Sequence, residues 1–125
     1  MTTELTHLTL AEAASLIARR KISPVELTRA CLAHIEALDP LVNSFITVMA
    51  EMALQQARAA EEAIQRGDYQ GALFGIPVAL KDLIETAGVR TTAGSRHLAS
   101  YVPTEDAALV QRLKQAGAIL LGKLN

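Results

Sequence analysis

Tryptophan is absent from these 125 residues, there is one cysteine, and aromatic residues make up only 3%. A core built on large rings is thereby excluded, and so is a disulfide scaffold, because Cys31 has no internal partner. A lone cysteine within a helical pattern reads as a small packing residue and fits a reducing, cytoplasmic compartment. Charge of one sign is lacking too. Lys+Arg 12 against Asp+Glu 13 leaves a formal net charge of -1, so no basic field draws in a phosphate backbone and direct nucleic-acid binding is not expected. Met1 to Leu10 is polar and threonine-rich, and no uninterrupted apolar run nears the roughly 18 residues of a spanning helix, so no membrane partner is expected. Glycines 71, 75, 88 and 94 fit neither a phosphate loop nor a dinucleotide fingerprint, and His7, His34 and His97 lack partners at ligand spacing. No cofactor and no metal are implied.

What is present is 50% hydrophobic and 20% charged residues, the balance of one α-rich globular domain spanning 1–125. Thr9 with Glu12 is a capping box, and Leu10, Ala13, Ala14 and Ile17 recur at helical spacing, which predicts a helix to about Arg20. Ser23-Pro24-Val25-Glu26 starts a second helix whose face carries Leu27, Cys31, Ile35 and Leu38 until Asp39-Pro40 stops it; the two helices are expected to form a hairpin. Phe45 to Val48 is either a strand or an extended lead into the next helix, which Met49 to Gln65 builds from strong helix formers and Gly67 terminates.

Beyond Gly67 the composition changes. Ile76-Pro77-Val78-Ala79-Leu80 is apolar throughout and predicts a strand buried on both faces, ending in Lys81-Asp82. Gly88 to Ser95 reads as loop, with a helical turn at Arg96 to Ser100. Thr104 is expected to cap a helix that turns Ala108, Leu109, Val110 and Leu113 inward, Gly117 to end it, and Ala118 to Leu121 to follow as a buried strand. The result is an α/β fold whose sheet wants further neighbours, through self-association or a complementing segment.

Lys81 is the residue with most chemistry to offer. A lysine closing an apolar strand is expected near the low-dielectric interior, where desolvation disfavours its charge and leaves a usable base; the plain alternative is a surface lysine paired with Asp82 or Glu85. Ser95, in Thr91-Thr92-Ala93-Gly94-Ser95, is a loop hydroxyl without the Gly-x-Ser-x-Gly elbow and reads as a turn residue.

Gly75-Ile76-Pro77-Val78-Ala79-Leu80-Lys81-Asp82-Leu83-Ile84 followed by Gly88-Val89-Arg90-Thr91-Thr92-Ala93-Gly94-Ser95 resembles the start of the amidase signature family. The likeness extends to Ser23-Pro24-Val25-Glu26-Leu27, to Leu41-Val42-Asn43-Ser44-Phe45 and to the stretch from Ala116 to Lys123. The resemblance implies N-terminal helices followed by helices packed on the first strands of a mixed sheet, an incomplete amidase-signature fold. It also implies hydrolysis of small-molecule carboxamides to carboxylate and ammonia by a serine, cis-serine, lysine triad in which Lys81 is the base. Asp82 would orient Lys81 or accept from loop amides, and Thr91, Thr92, Gly94 and Ser95 would line the approach. In that family both serines and the oxyanion loop follow the part matched here, so residues 1–125 are expected to be the N-terminal portion of an amidase domain, to carry only the lysine, and to be inactive alone. The family continues past Gly-Lys with Thr-Asn, where this chain has Leu124-Asn125. The tRNA-dependent amidotransferases of the same family, which deliver ammonia to glutamyl-tRNA(Gln), are similar in the same helices, while Asp82-Leu83-Ile84 and Ala93-Gly94-Ser95 lean toward the general amidases. A non-catalytic, self-associating α/β module is the rival reading.

Overall fold

The computed structural model describes residues 2–125. A short α1 (Thr2–Leu5) precedes α2 (Leu10–Ala18) and α3 (Pro24–Val42). β1 (Phe45–Val48), α4 (Ala50–Gln65), β2 (Pro77–Lys81), a 3-10 turn (Arg96–Leu98), α5 (Ala108–Gln115) and β3 (Ile119–Leu124) complete the chain. Both expected capping boxes form: Thr9 with Glu12 and Ser23 with Glu26 each exchange side-chain and backbone bonds, satisfying two otherwise orphaned amides per helix.

The three strands form one mixed sheet in the order β1-β3-β2, with β3 antiparallel to β1 and parallel to β2. β3 is central and almost wholly buried, and its alternation serves two layers. Ile119 and Leu121 pack with Val25 of α3 and Ala53 and Ala57 of α4 on one face. Leu120 joins Leu80, Met49, Val89 and Val110 on the other. A third cluster, Ala13, Ala14, Ile17, Leu27, Ala60, Ile64, Phe74 and Ile76, ties α2 to the rest. Gly117 has φ +81, and a Cβ there would meet the Phe74 ring, so this turn into β3 requires glycine on both counts.

Five expectations are corrected. The second helix does not stop at Asp39-Pro40: α3 runs to Val42 with Pro40 inside it. The proline removes one amide in the final turn, and Glu36, whose carbonyl loses that donor, is exposed to water; Asn43, at φ 52, then closes the helix with its N–H on the Asp39 carbonyl. The hairpin of α2 and α3 is not an extended pairing, because α3 lies mainly along α4 and meets α2 through Leu27. β2 is not buried on both faces: Pro77, Val78 and Ala79 are half-buried because β2 is an edge of the sheet. Thr104 is not a cap; α5 begins at Ala108 after Ala107, which has no side-chain cap bond. The approach to α5 is instead tied to the preceding loop, Ala107 N–H donating to the Glu85 carbonyl and Ala87 N–H to the Asp106 carboxylate. Finally, α5 buries Val110 alone, and Leu109 is 49% exposed. Phe45 to Val48 resolves as a strand.

Candidate functional site

The carboxyl ends of parallel strands β2 and β3 lie side by side, with Lys81 paired in register to Leu124. In α/β sheets this is the rim at which ligands are bound. A cavity of about 90 Å³ opens there, lined by Ile46, Lys81, Asp82, Leu83, Ala93, Gly94, Leu124 and Asn125. The structure thus brings Lys81, Asp82 and Gly94 together at one mouth, and places the buried Thr91 and Thr92 beneath it.

Lys81 itself is exposed, and among the described residues no hydrogen bond or ion pair engages its side chain. The burial expected of it is not found, because β2 is an edge strand; nor does it pair with Asp82 or Glu85.

Asp82 is 2% exposed and does bond loop amides. Its Oδ2 accepts from the Thr92 amide at 3.1 Å and from the Thr92 hydroxyl, its backbone carbonyl accepts from Ala93 N–H at 2.9 Å, and its own N–H donates to the Leu124 carbonyl at 2.8 Å. Thr91 is buried, donating its hydroxyl to the Val89 carbonyl. Ala93 and Gly94 follow with φ 51 and 69, a left-handed pair that turns the chain back past the strand end. Gly94 N–H donates to the Thr92 hydroxyl. Ser95 caps the 3-10 turn, its hydroxyl accepting from His97 N–H, so it serves the turn as its sequence context suggests.

The lysine that the interior does hold is Lys123, fully buried at 0%. Its Nζ donates to the Ile84 carbonyl and the Thr91 hydroxyl, both at 2.8 Å, and stands 3.7 Å from Asp82 Oδ1. Burial pushes this ammonium below the usual lysine value, and the Asp82 carboxylate works against that. Sequence reading did not single it out. Simple alternation along β3 would put Lys123 on the face of Ile119 and Leu121, but the register against β2 shifts between Val78 and Ala79, from Leu120 to Gly122. That irregularity re-aims Lys123 onto the face of Leu80, with which it pairs. The available signal was a lysine one residue beyond the apolar run ending in Leu121.

Among the described residues no group of three or more His, Cys, Asp or Glu is placed to hold a metal ion, and no helix is long and apolar enough to cross a membrane.

Residues 26–125 match the family model described as Amidase. The chain is 56% identical over 117 residues to the GatA-type component of glutamyl-tRNA(Gln) amidotransferase from Methylococcus capsulatus, covering 94% of this chain and 24% of that protein. It is 51% identical over 122 residues to the same component from Moorella thermoacetica, covering 98% of this chain and 25% of that one. The lean toward general amidases is thus not what these identities favour. Among solved structures, the native peptide amidase of Stenotrophomonas maltophilia superposes with a TM-score of 0.88 at 36% identity, over 95% of this chain and 25% of its own. A bacterial aryl acylamidase of the amidase signature enzymes gives a TM-score of 0.87 at 27% identity, over 94% and 25%. The chain spans about a quarter of the length of the curated relatives it matches. With the mixed sheet, the strand that delivers Lys81-Asp82 and the threonine-glycine turn beside it, these matches establish that the chain belongs to the amidase signature family.

Proposed function

We propose that residues 1–125 are the N-terminal portion of an amidase domain and supply the lysine of an amide-cleaving site, the two serines coming from residues outside this stretch. The observation that carries the reading is the placing of Lys81 at the carboxyl end of β2, unpaired, at a cavity walled by the Ala93-Gly94 turn.

Cleaving a carboxamide needs an activated hydroxyl, somewhere to keep its proton, and donors for the developing oxyanion. Lys81 meets the second need. A serine hydroxyl attacks the carbonyl carbon while its proton passes through a second serine to the Lys81 amine. Collapse of the tetrahedral intermediate returns that proton to the departing nitrogen, releasing ammonia and leaving an acyl-serine, and water then frees the carboxylate. No cofactor enters these steps. Within residues 2–125 the amides of Thr92, Ala93, Gly94 and Ser95 are engaged by Asp82 and Thr92. They are therefore not available as an oxyanion hole, and this stretch alone is inactive.

The identity of 56% to a component of glutamyl-tRNA(Gln) amidotransferase favours a second form of the reading, in which the nitrogen released at the same site passes to an acceptor instead of to solvent. The chemistry asked of Lys81 is the same in both.

The test combines the chain with the C-terminal three-quarters of the Methylococcus relative and follows ammonia release from glutamine and simple carboxamides. Turnover only in the mixture, and lost in Lys81→Ala, is the expected result. Turnover by the chain alone would overturn the division of the site. Silence in the mixture would favour the non-catalytic, self-associating module instead.

A further inference from the structure

One buried titratable group has no part in the reaction proposed above. Lys123 is wholly inaccessible, and a buried cation is retained only where its protons find acceptors. An ammonium has three donors. Two reach the Ile84 carbonyl and the Thr91 hydroxyl at 2.8 Å, and Asp82 Oδ1, which has no hydrogen-bond partner of its own, faces the ammonium at 3.7 Å. From Asp82 the connection continues outward. Oδ2 holds the Thr92 amide and hydroxyl, the backbone carbonyl holds Ala93 N–H, and the Thr92 hydroxyl holds Gly94 N–H. Ala93 and Gly94 then wall the cavity that Lys81 lines. A methionine would fill the same volume, yet it could hold neither Asp82 nor Thr91, so packing alone does not account for a lysine here.

The geometry points to Lys123 as a positioning residue for the proposed site: its buried ammonium fixes Asp82 and Thr91, and through them the Thr92–Gly94 turn against which Lys81 and a substrate amide are placed. The inference rests on the reading of Lys81 as base, and its test separates the two. Reacting groups must be held within a fraction of an ångström, so a loosened wall is expected to lower turnover more than binding.

The experiment has two arms on the full chain. In the first, amide hydrogen exchange is measured for the wild type, Lys123→Met and Thr91→Val, with the Ile119 amide, which donates to the Ile76 carbonyl, as the core reference. The expected result is protection of Thr92 and Ala93 reduced at least tenfold while Ile119 keeps its own. Unchanged protection at Thr92 and Ala93 would overturn the proposal. If Lys123→Met loses protection everywhere, Thr91→Val decides: loss confined to the turn supports the proposal and no loss overturns it.

In the second arm the same variants and Lys123→Arg are mixed with the C-terminal segment of the Methylococcus relative. A kcat lowered at least tenfold in Lys123→Met with KM changed less than threefold, and largely recovered in Lys123→Arg, is expected; a rise in KM alone, or no recovery, would overturn it. If the wild-type mixture is silent, the function reading falls, and the exchange arm still decides whether Lys123 holds the turn.

Discussion

Lys81 and Asp82 are adjacent in the chain and end in opposite environments: the lysine is exposed and unpaired, while the aspartate is 2% exposed and faces Lys123 across 3.7 Å. One residue is left for chemistry and the other anchors the loop beside it. The two should therefore respond differently to substitution. Lys81→Ala removes an exposed side chain, so its urea midpoint is expected to stay within about 0.5 kcal/mol of wild type. In the complemented assay it should abolish ammonia release.

Asp82→Ala strands the Lys123 ammonium in the interior, and Lys123→Met strands the Asp82 carboxylate. Each single change is expected to cost about 3–5 kcal/mol, the scale of an uncompensated buried charge. Asp82→Leu with Lys123→Met removes both charges and should be less destabilised than either single variant. Urea unfolding of the set, read as a double-mutant cycle, measures the coupling.

Gly122 stands where β1 and β3 cross closest. A Cβ there would land on the Thr47 carbonyl oxygen and press on the Phe45 ring. Gly122→Ala is expected to cost about 1–3 kcal/mol through overpacking, and to loosen β1 specifically. Thermal unfolding gives the first quantity, and amide exchange at Met49, which donates to the Leu121 carbonyl, gives the second.

The junction between α3 and β1 should weaken in acid. The Ser44 hydroxyl, with the Phe45 and Ser44 amides, holds the Asp39 carboxyl below its ordinary value of 3.8. The unfolded chain therefore takes up the proton more readily than the folded one, so this contribution is present above the ordinary value and fades as pH falls through the lowered native one. Asp39→Ala is expected to be less stable than wild type at neutral pH, with the gap closing below about pH 4, the ordinary carboxylate range. Urea midpoints at a series of pH values would show it; a constant gap would count against the assignment.

Much of this protein was written locally. Thr9 with Glu12 and Ser23 with Glu26 set two helix starts, because capping is chemistry between residues three apart. Gly67 and Gly117 adopt the left-handed φ expected of helix terminators, and the apolar runs at Ile76 to Leu80 and Ala118 to Leu121 lie within or against the two parallel strands. The Gly75 to Ser95 motif was enough to name the family.

What tertiary structure alone decided concerns partners distant in sequence. Whether Phe45 to Val48 became a strand depended on β3 being there to pair with it. Where α5 began was set by the ties from Glu85 and Ala87 to the 106–107 segment, not by Thr104 as a local cap. Which lysine is buried was decided by a one-residue register irregularity: alternation alone would send Lys123 to the helix-covered face, and the shift opposite Val78 and Ala79 sends it to Asp82 and Thr91 instead. A period-2 pattern cannot announce its own interruption, because the extra residue is fixed by the neighbouring strand it must match.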